Sequence, residues 1–171
     1  GSPSAVSYST WMCQYTWSCV ACDIVNCKSY DKYTKLLIHS NWTNGTSSFV
    51  DTYLHSITSN WAVQISTAKS VYGWSSAYFN WSSYLTIADS DERSFWAWDF
   101  TIDLNVYFTT VPAANFVSQW KEASFPAECS FNLLYQANTL QFAYSNWTSV
   151  YVFNPTWTPV ANTWYHIAVV R

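Results

Sequence analysis

Asp99-Phe100-Thr101-Ile102-Asp103-Leu104-Asn105-Val106-Tyr107-Phe108 decides the fold class. Phe100, Ile102, Leu104, Val106 and Phe108 recur at every second position, with mostly polar residues between them. In an extended chain, successive side chains point to opposite faces, so this decapeptide is a strand with one apolar face. Shorter runs on either side read the same way. They are Leu36–His39, Ala62–Ile65, Ala77–Phe79, Tyr84–Ile87, Asn115–Trp120, Phe131–Gln136, Thr139–Tyr144, Val150–Phe153 and Trp164–Val170. The breaks carry Asn, Ser, Asp and Pro, including Pro112, Pro126, Pro155 and Pro159. No stretch keeps a helical period, and no internal repeat is visible. Short strands separated by turn signals predict an all-β antiparallel β-sandwich, or jelly roll.

The chain has 171 residues, one fifth of them aromatic and only 10% charged, with a net charge of −3. That balance argues against nucleic acid as a partner, which a basic surface would favour. No run reaches the roughly 18 apolar residues of a membrane span. Gly1-Ser2-Pro3-Ser4 has neither the basic nor the apolar segment of a signal peptide, so export would need a removed leader or another route. A surface low in charge and rich in Ser, Thr, Asn and Tyr suits an extracellular, cell-surface or virion setting.

Residues 1–32 differ from the rest. They hold Cys13, Cys19, Cys22 and Cys27 in a C-x5-C-x2-C-x4-C arrangement and lack a clear period. Zinc is conceivable for such a set, and a pair of disulfides fits the surface setting better, with Cys129 left over. This segment reads as an N-terminal arm that docks on a neighbouring subunit, ahead of a domain from 33 to 171.

Glycine and tryptophan are out of balance. At the usual frequency of about 7%, ~12 glycines are expected; the chain has 3 glycines and 12 tryptophans. Asn41-Trp42, Asn80-Trp81 and Asn146-Trp147 stand where Asn-Gly is the ordinary hairpin signal. Phe95-Trp96-Ala97-Trp98-Asp99 also reads as a glycine-containing turn. Either these turns use another geometry, or some of the tryptophans are not the encoded residues, as a codon translated under the wrong code would produce.

From Tyr33 to Arg171 the chain resembles the concanavalin A-like lectin/glucanase superfamily, specifically the laminin-G-like domains of phage and bacterial proteins. The motifs are Thr34–His39, Ser76–Asn80 with Tyr84–Ile87, Asp99–Asp103, and Trp164-Tyr165-His166-Ile167-Ala168-Val169-Val170-Arg171. The resemblance implies a jelly roll that recognises glycans through its loops. It also implies glycine beside Asn80 and around Ala97, an aromatic residue where Leu104-Asn105 stands, and further strands past Arg171. The 33–171 domain is therefore expected to be truncated at its C-terminus.

Glucanases of that superfamily place two catalytic Glu residues two apart on one strand, a pair needed as acid and nucleophile. Here Glu92, Glu122 and Glu128 are far from that spacing. His39, His55 and His166 follow no triad or metal motif, and no GxSxG occurs. The expectation is therefore a non-enzymatic binding or adhesion module of a virion or cell-surface assembly, such as a capsid decoration, tail fibre or appendage. Its partners would be other subunits and glycans. The rivals are a structural subunit without a ligand and, behind it, a polysaccharide-active enzyme. Exposed rings stack on the CH faces of sugars, which nominates Trp42, Trp74, Trp81 and Trp147 as ligand-binding; Trp120, Trp157 and Trp164 read as core. Calcium is the one cofactor the carboxylates suggest, through Asp89, Asp91 and Asp99 with help from Asp51. Against it stands their ordinary use as turn and cap residues. Asn41, Asn44, Asn80 and Asn146 head glycosylation sequons that matter only in a eukaryotic source.

Overall fold

A computed structural model describes residues 33–94, 99–120, 130–146 and 148–171. The described residues form twelve strands and one 3-10 turn at Asp91–Arg93, with no α-helix. The strands are β1 Ile38–His39, β2 Val50–Asp51, β3 Ile57–Asn60, β4 Gln64–Ser66, β5 Ser76–Tyr78 and β6 Tyr84–Ile87. They continue as β7 Thr101–Phe108, β8 Ala114–Gln119, β9 Phe131–Gln136, β10 Thr139–Ser145, β11 Val150–Phe153 and β12 Thr163–Val170. All pairings are antiparallel: β1 with β2, β3 with β6, β4 with β5, β7 with β12, and a four-stranded sheet in the order β11-β10-β9-β8. Among the described residues no sheet closes into a barrel.

The alternation read in residues 100–108 is present. Ile102, Leu104 and Val106 point inward between exposed Thr101, Asp103 and Asn105, and Phe108 is buried. The partner strand β12 matches it across the pair, with Ile167 opposite Leu104 and Val169 opposite Ile102. These side chains share one core with the four-stranded sheet: Phe131, Leu133, Phe142 and Ile167 are buried together, with Phe116, Leu140, Tyr144 and Trp157 packed around them. Aromatic contacts close the far end. Trp157 lies 5.9 Å from Phe108, 5.4 Å from Tyr135 and 5.1 Å from Tyr165, edge-on to the last two. Trp157 therefore packs as the core residue it was expected to be.

Residues 33–94 hold a second, smaller core of Phe49, Val63 and Ile65, lined by Ile38, Ile57, Ala77 and Leu85. Two strands here were not foreseen. Val50–Asp51 is only two residues long, and Ile57-Thr58-Ser59-Asn60 is mostly polar; it becomes a strand by pairing with the apolar β6, Ile57 opposite Ile87. The Gln119 carboxamide joins the two parts by donating to Asp89 (2.6 Å) and to the Ser90 carbonyl (3.1 Å). Among the described residues no helix is long and apolar enough to cross a membrane.

Candidate functional site

The tryptophans nominated from sequence do not form one site. Trp42 lies in the loop after β1, Trp74 just before β5, and Trp81 in the turn after β5. The first two belong together. The Ser75 hydroxyl donates to the carbonyl of Ser40 and approaches that of Trp42 at 3.5 Å, and the Asn41 side chain sits where a Cβ on Gly73 would be. Trp81 stands beyond the opposite end of β5. Trp147 and the cysteines Cys13, Cys19, Cys22 and Cys27 lie outside the described residues.

Trp42, Thr43, Thr46, Ser48 and Val50 line a shallow pocket of about 120 Å³. That volume holds a few waters and is below the ~300 Å³ at which ligand clefts begin. The sequon asparagines work as local supports. The Asn80 side-chain oxygen accepts from the N–H groups of Ser82 and Ser83 at 3.1 and 3.0 Å. Asn146 does the same for Thr148 and Ser149, and Asn44 accepts from the N–H of Thr67. Asn41 packs against Gly73.

Among the described residues no three His, Cys, Asp or Glu side chains form a group that could hold a metal ion. Asp89, Asp91 and Asp99 are exposed, and Asp89 is engaged by Gln119 and by the N–H of Ser90. Asp51 is 1% exposed and bound inward. It accepts from the N–H groups of Leu37 (2.7 Å), Tyr53 (3.1 Å) and His55 (3.2 Å), and from the His55 ring at 2.6 Å. Burial pushes its carboxyl upward. The hydrogen bonds from Leu37, His55 and Tyr53 outweigh that and hold it below its ordinary value. Its oxygens are thus occupied in shaping the β2 turn.

The most developed exposed feature lies outside the residues nominated from the sequence. On β10 and β11, Tyr144 faces Tyr151, and Phe142 faces Phe153. The Tyr144 and Tyr151 rings stack at 5.0 Å and 18°, and Tyr144 and Phe153 at 6.4 Å and 9°. Phe142, 6.1 Å from Tyr144, and Phe100, 5.6 Å from Phe142, anchor this row to the core. Exposure rises outward, from 6% at Phe142 to 44% at Tyr151 and 56% at Phe153. The reason lies in the topology. The core between β7–β12 and the four-stranded sheet takes residues from β8, β9 and β10 but none from β11. Among the described residues the row of rings therefore runs out of cover and forms a ledge. The Arg171 guanidinium lies over it, 5.5 Å from the Tyr144 ring centre. The hint available in the sequence was Val150-Tyr151-Val152-Phe153, an alternation of aromatic and aliphatic residues with no polar face.

Comparison with protein-family models, with curated proteins and with solved structures finds no match for this chain. The lectin-like resemblance thus rests on the motifs quoted above.

Proposed function

We propose that this chain is a jelly-roll β-sandwich acting as a non-enzymatic binding module of an extracellular, cell-surface or virion assembly, with a glycan as ligand. The sandwich is supported by the core that β7 and β12 share with the four-stranded sheet. The binding role is carried by one observation, the half-exposed ledge of near-parallel rings at Tyr144, Tyr151 and Phe153. Ring faces held by packing lose little freedom when a sugar stacks on them. A non-catalytic role is supported by the carboxylates whose partners are known: Asp51 is buried in its turn, Asp89 is held by Gln119, and Asp103 lies 2.9 Å from the His166 ring.

The test is a glycan array with the purified protein, followed by calorimetry on the glycan retained. Replacing Tyr151 and Phe153 by Ala together is expected to weaken binding about tenfold or more, since one ring contact contributes ~0.5–1.5 kcal/mol beyond burial. Undiminished binding by that variant removes the ledge from the account, and release of reducing sugar removes the non-enzymatic reading.

A purely structural role is the second reading, favoured by Val152. It is 48% exposed on the other face of the same edge strand, where a sugar stacked on the rings has no use for it. Among the described residues β11 ends its sheet, and an edge with apolar residues on both faces is a ready surface for another subunit. A silent array, together with a self-associating species that Val152→Lys disperses, would select this reading.

A further inference from the structure

Six of the seven tryptophans among the described residues fall into two kinds, with the half-buried Trp120 just past the end of β8 set aside. Trp157 contacts Phe108, Tyr135 and Tyr165, and Trp164 lies 5.3 Å from Tyr107. Trp157 packs against the core, whereas Trp164, expected as core, pairs with Tyr107 on the other face of β7–β12 and keeps its ring half-buried against it. Trp42, Trp61, Trp74 and Trp81 are of the second kind. They sit in turns and remain 50, 77, 83 and 85% exposed.

Trp61 shows most clearly what its position requires. Its φ is +61°, in the left-handed region that costs a residue with a Cβ and that glycine enters freely. The chain carries its own comparison: Asn44-Gly45 has φ +83° at the glycine, and Asn60-Trp61 repeats that pattern with tryptophan. At the Asn80 turn the geometry is set by the Asn80 side chain and by the Asn80 N–H donating to the Ser83 hydroxyl at 2.8 Å, with the indole taking no part. Trp74 follows Gly73, itself at φ +70° and pressed against Asn41. Trp61 thus stands at a backbone position that favours glycine, and Trp42, Trp74 and Trp81 stand in turns with at least half of each residue exposed, in a chain with 3 glycines where ~12 are usual.

We propose that positions 42, 61, 74 and 81 are glycine in the polypeptide made by the source cell, because the codon read there as tryptophan is decoded as glycine, whereas 157 and 164 are tryptophan. Two codons must then be in use. UGG would specify the packed residues. UGA, a stop in the standard table and tryptophan in some others, would specify the turn residues. The inference is independent of the proposed function, since the ledge contains no tryptophan. It does bear on where a ligand sits, because glycine at 42 would remove the aromatic wall of the Trp42 pocket.

The test uses protein purified from its source organism and cut with trypsin. The peptides Leu36–Lys69 and Ser70–Arg93 carry two of the positions each. Each is expected to be lighter by two tryptophan-to-glycine exchanges, while Glu122–Arg171 retains tryptophan at 157 and 164. Tryptophan at 61 in the native peptide overturns the proposal. So does a gene with UGG at that codon, whereas UGA at the four turn positions and UGG at 157 and 164 supports it.

Discussion

The two parts of the molecule are held together differently. Residues 100–171 are built on long strands: β7 and β12 pair over eight positions, and their apolar faces meet a four-stranded sheet in a core of buried and half-buried aromatic and aliphatic side chains. Residues 33–94 are built on strands of two to four residues around Phe49, Val63 and Ile65. With so little apolar surface to bury, that part depends on side chains that tie down the backbone: Asp51 on Leu37 and Tyr53, Asn44 on Thr67, Asn80 on Ser82 and Ser83, and Ser75 on Ser40. The difference teaches that a pattern of apolar residues specifies structure where strands are long, and that individual polar groups take over where they are short.

The largest expected effect separates the two cores. Leu133 is fully buried in the first and Ile65 in the second. Truncating either to Ala costs ~2–5 kcal/mol, with the cost set by how far the surroundings collapse. Leu133→Ala is expected at the upper end, because aromatic rings packed on both sheets cannot close the void, and Ile65→Ala at the lower end. Denaturant midpoints check the order. Equal losses would mean that the surroundings of Leu133 and Ile65 collapse to the same extent.

The next effect is polar. Asp51→Asn keeps the shape but loses the charge that several donors surround, and leaves at least one of them unsatisfied in a buried place, at about 1–3 kcal/mol. Hydrogen exchange should rise at the Leu37, Tyr53 and His55 amides while β7 and β12 stay protected. The same carboxylate predicts a pH response. Its folded pKa is depressed, so in acid the unfolded chain binds the proton more readily. The stability it contributes is complete above the unfolded value of ~3.9 and is lost as pH falls through the lower folded value. Protection of the Leu37 and Tyr53 amides should therefore fail in that acid window, and Asp51→Asn should flatten this pH dependence.

The same division explains what could be read beforehand. The sequence pattern predicts residues 131–136 as a strand with the bounds it has, and 101–108 within two residues, because period-two patterns over several residues resist accidental readings; 150–153 is legible instead as a run of β-branched and aromatic residues. β2 and β3 were missed because Val50-Asp51 and Ile57-Thr58-Ser59-Asn60 have no such pattern and become strands only through their partners. The ledge was missed for a related reason. Tyr151 and Phe153 face the same side as the core residue Phe142, and among the described residues the β7–β12 pair is two strands wide and contributes no residue packed against them in the core. Loop tryptophans were legible as exposed, yet whether Trp42 and Trp81 share a site depends on which end of β5 each occupies, and composition holds no trace of that.

The smallest effect tests the turn that joins the two central strands of the four-stranded sheet. Ala137 and Asn138 link β9 to β10 with φ of +49° and +61°, the two left-handed residues of a type I′ hairpin. Asn138 suits its place, and its side chain lies 3.2 Å from the Tyr135 hydroxyl. Ala137 does not, since its Cβ costs ~1–2 kcal/mol in that region. Glycine there relieves the clash but adds freedom to the unfolded chain, worth ~0.5–1 kcal/mol against folding. Ala137→Gly should therefore stabilise by up to about 1 kcal/mol, or ~2–4 °C in a domain of this size. The gain should appear in calorimetry without any change in exchange at Leu37 or Tyr53. A loss on Ala137→Gly would mean that the strand pairing on either side, and not the turn, bears the strain.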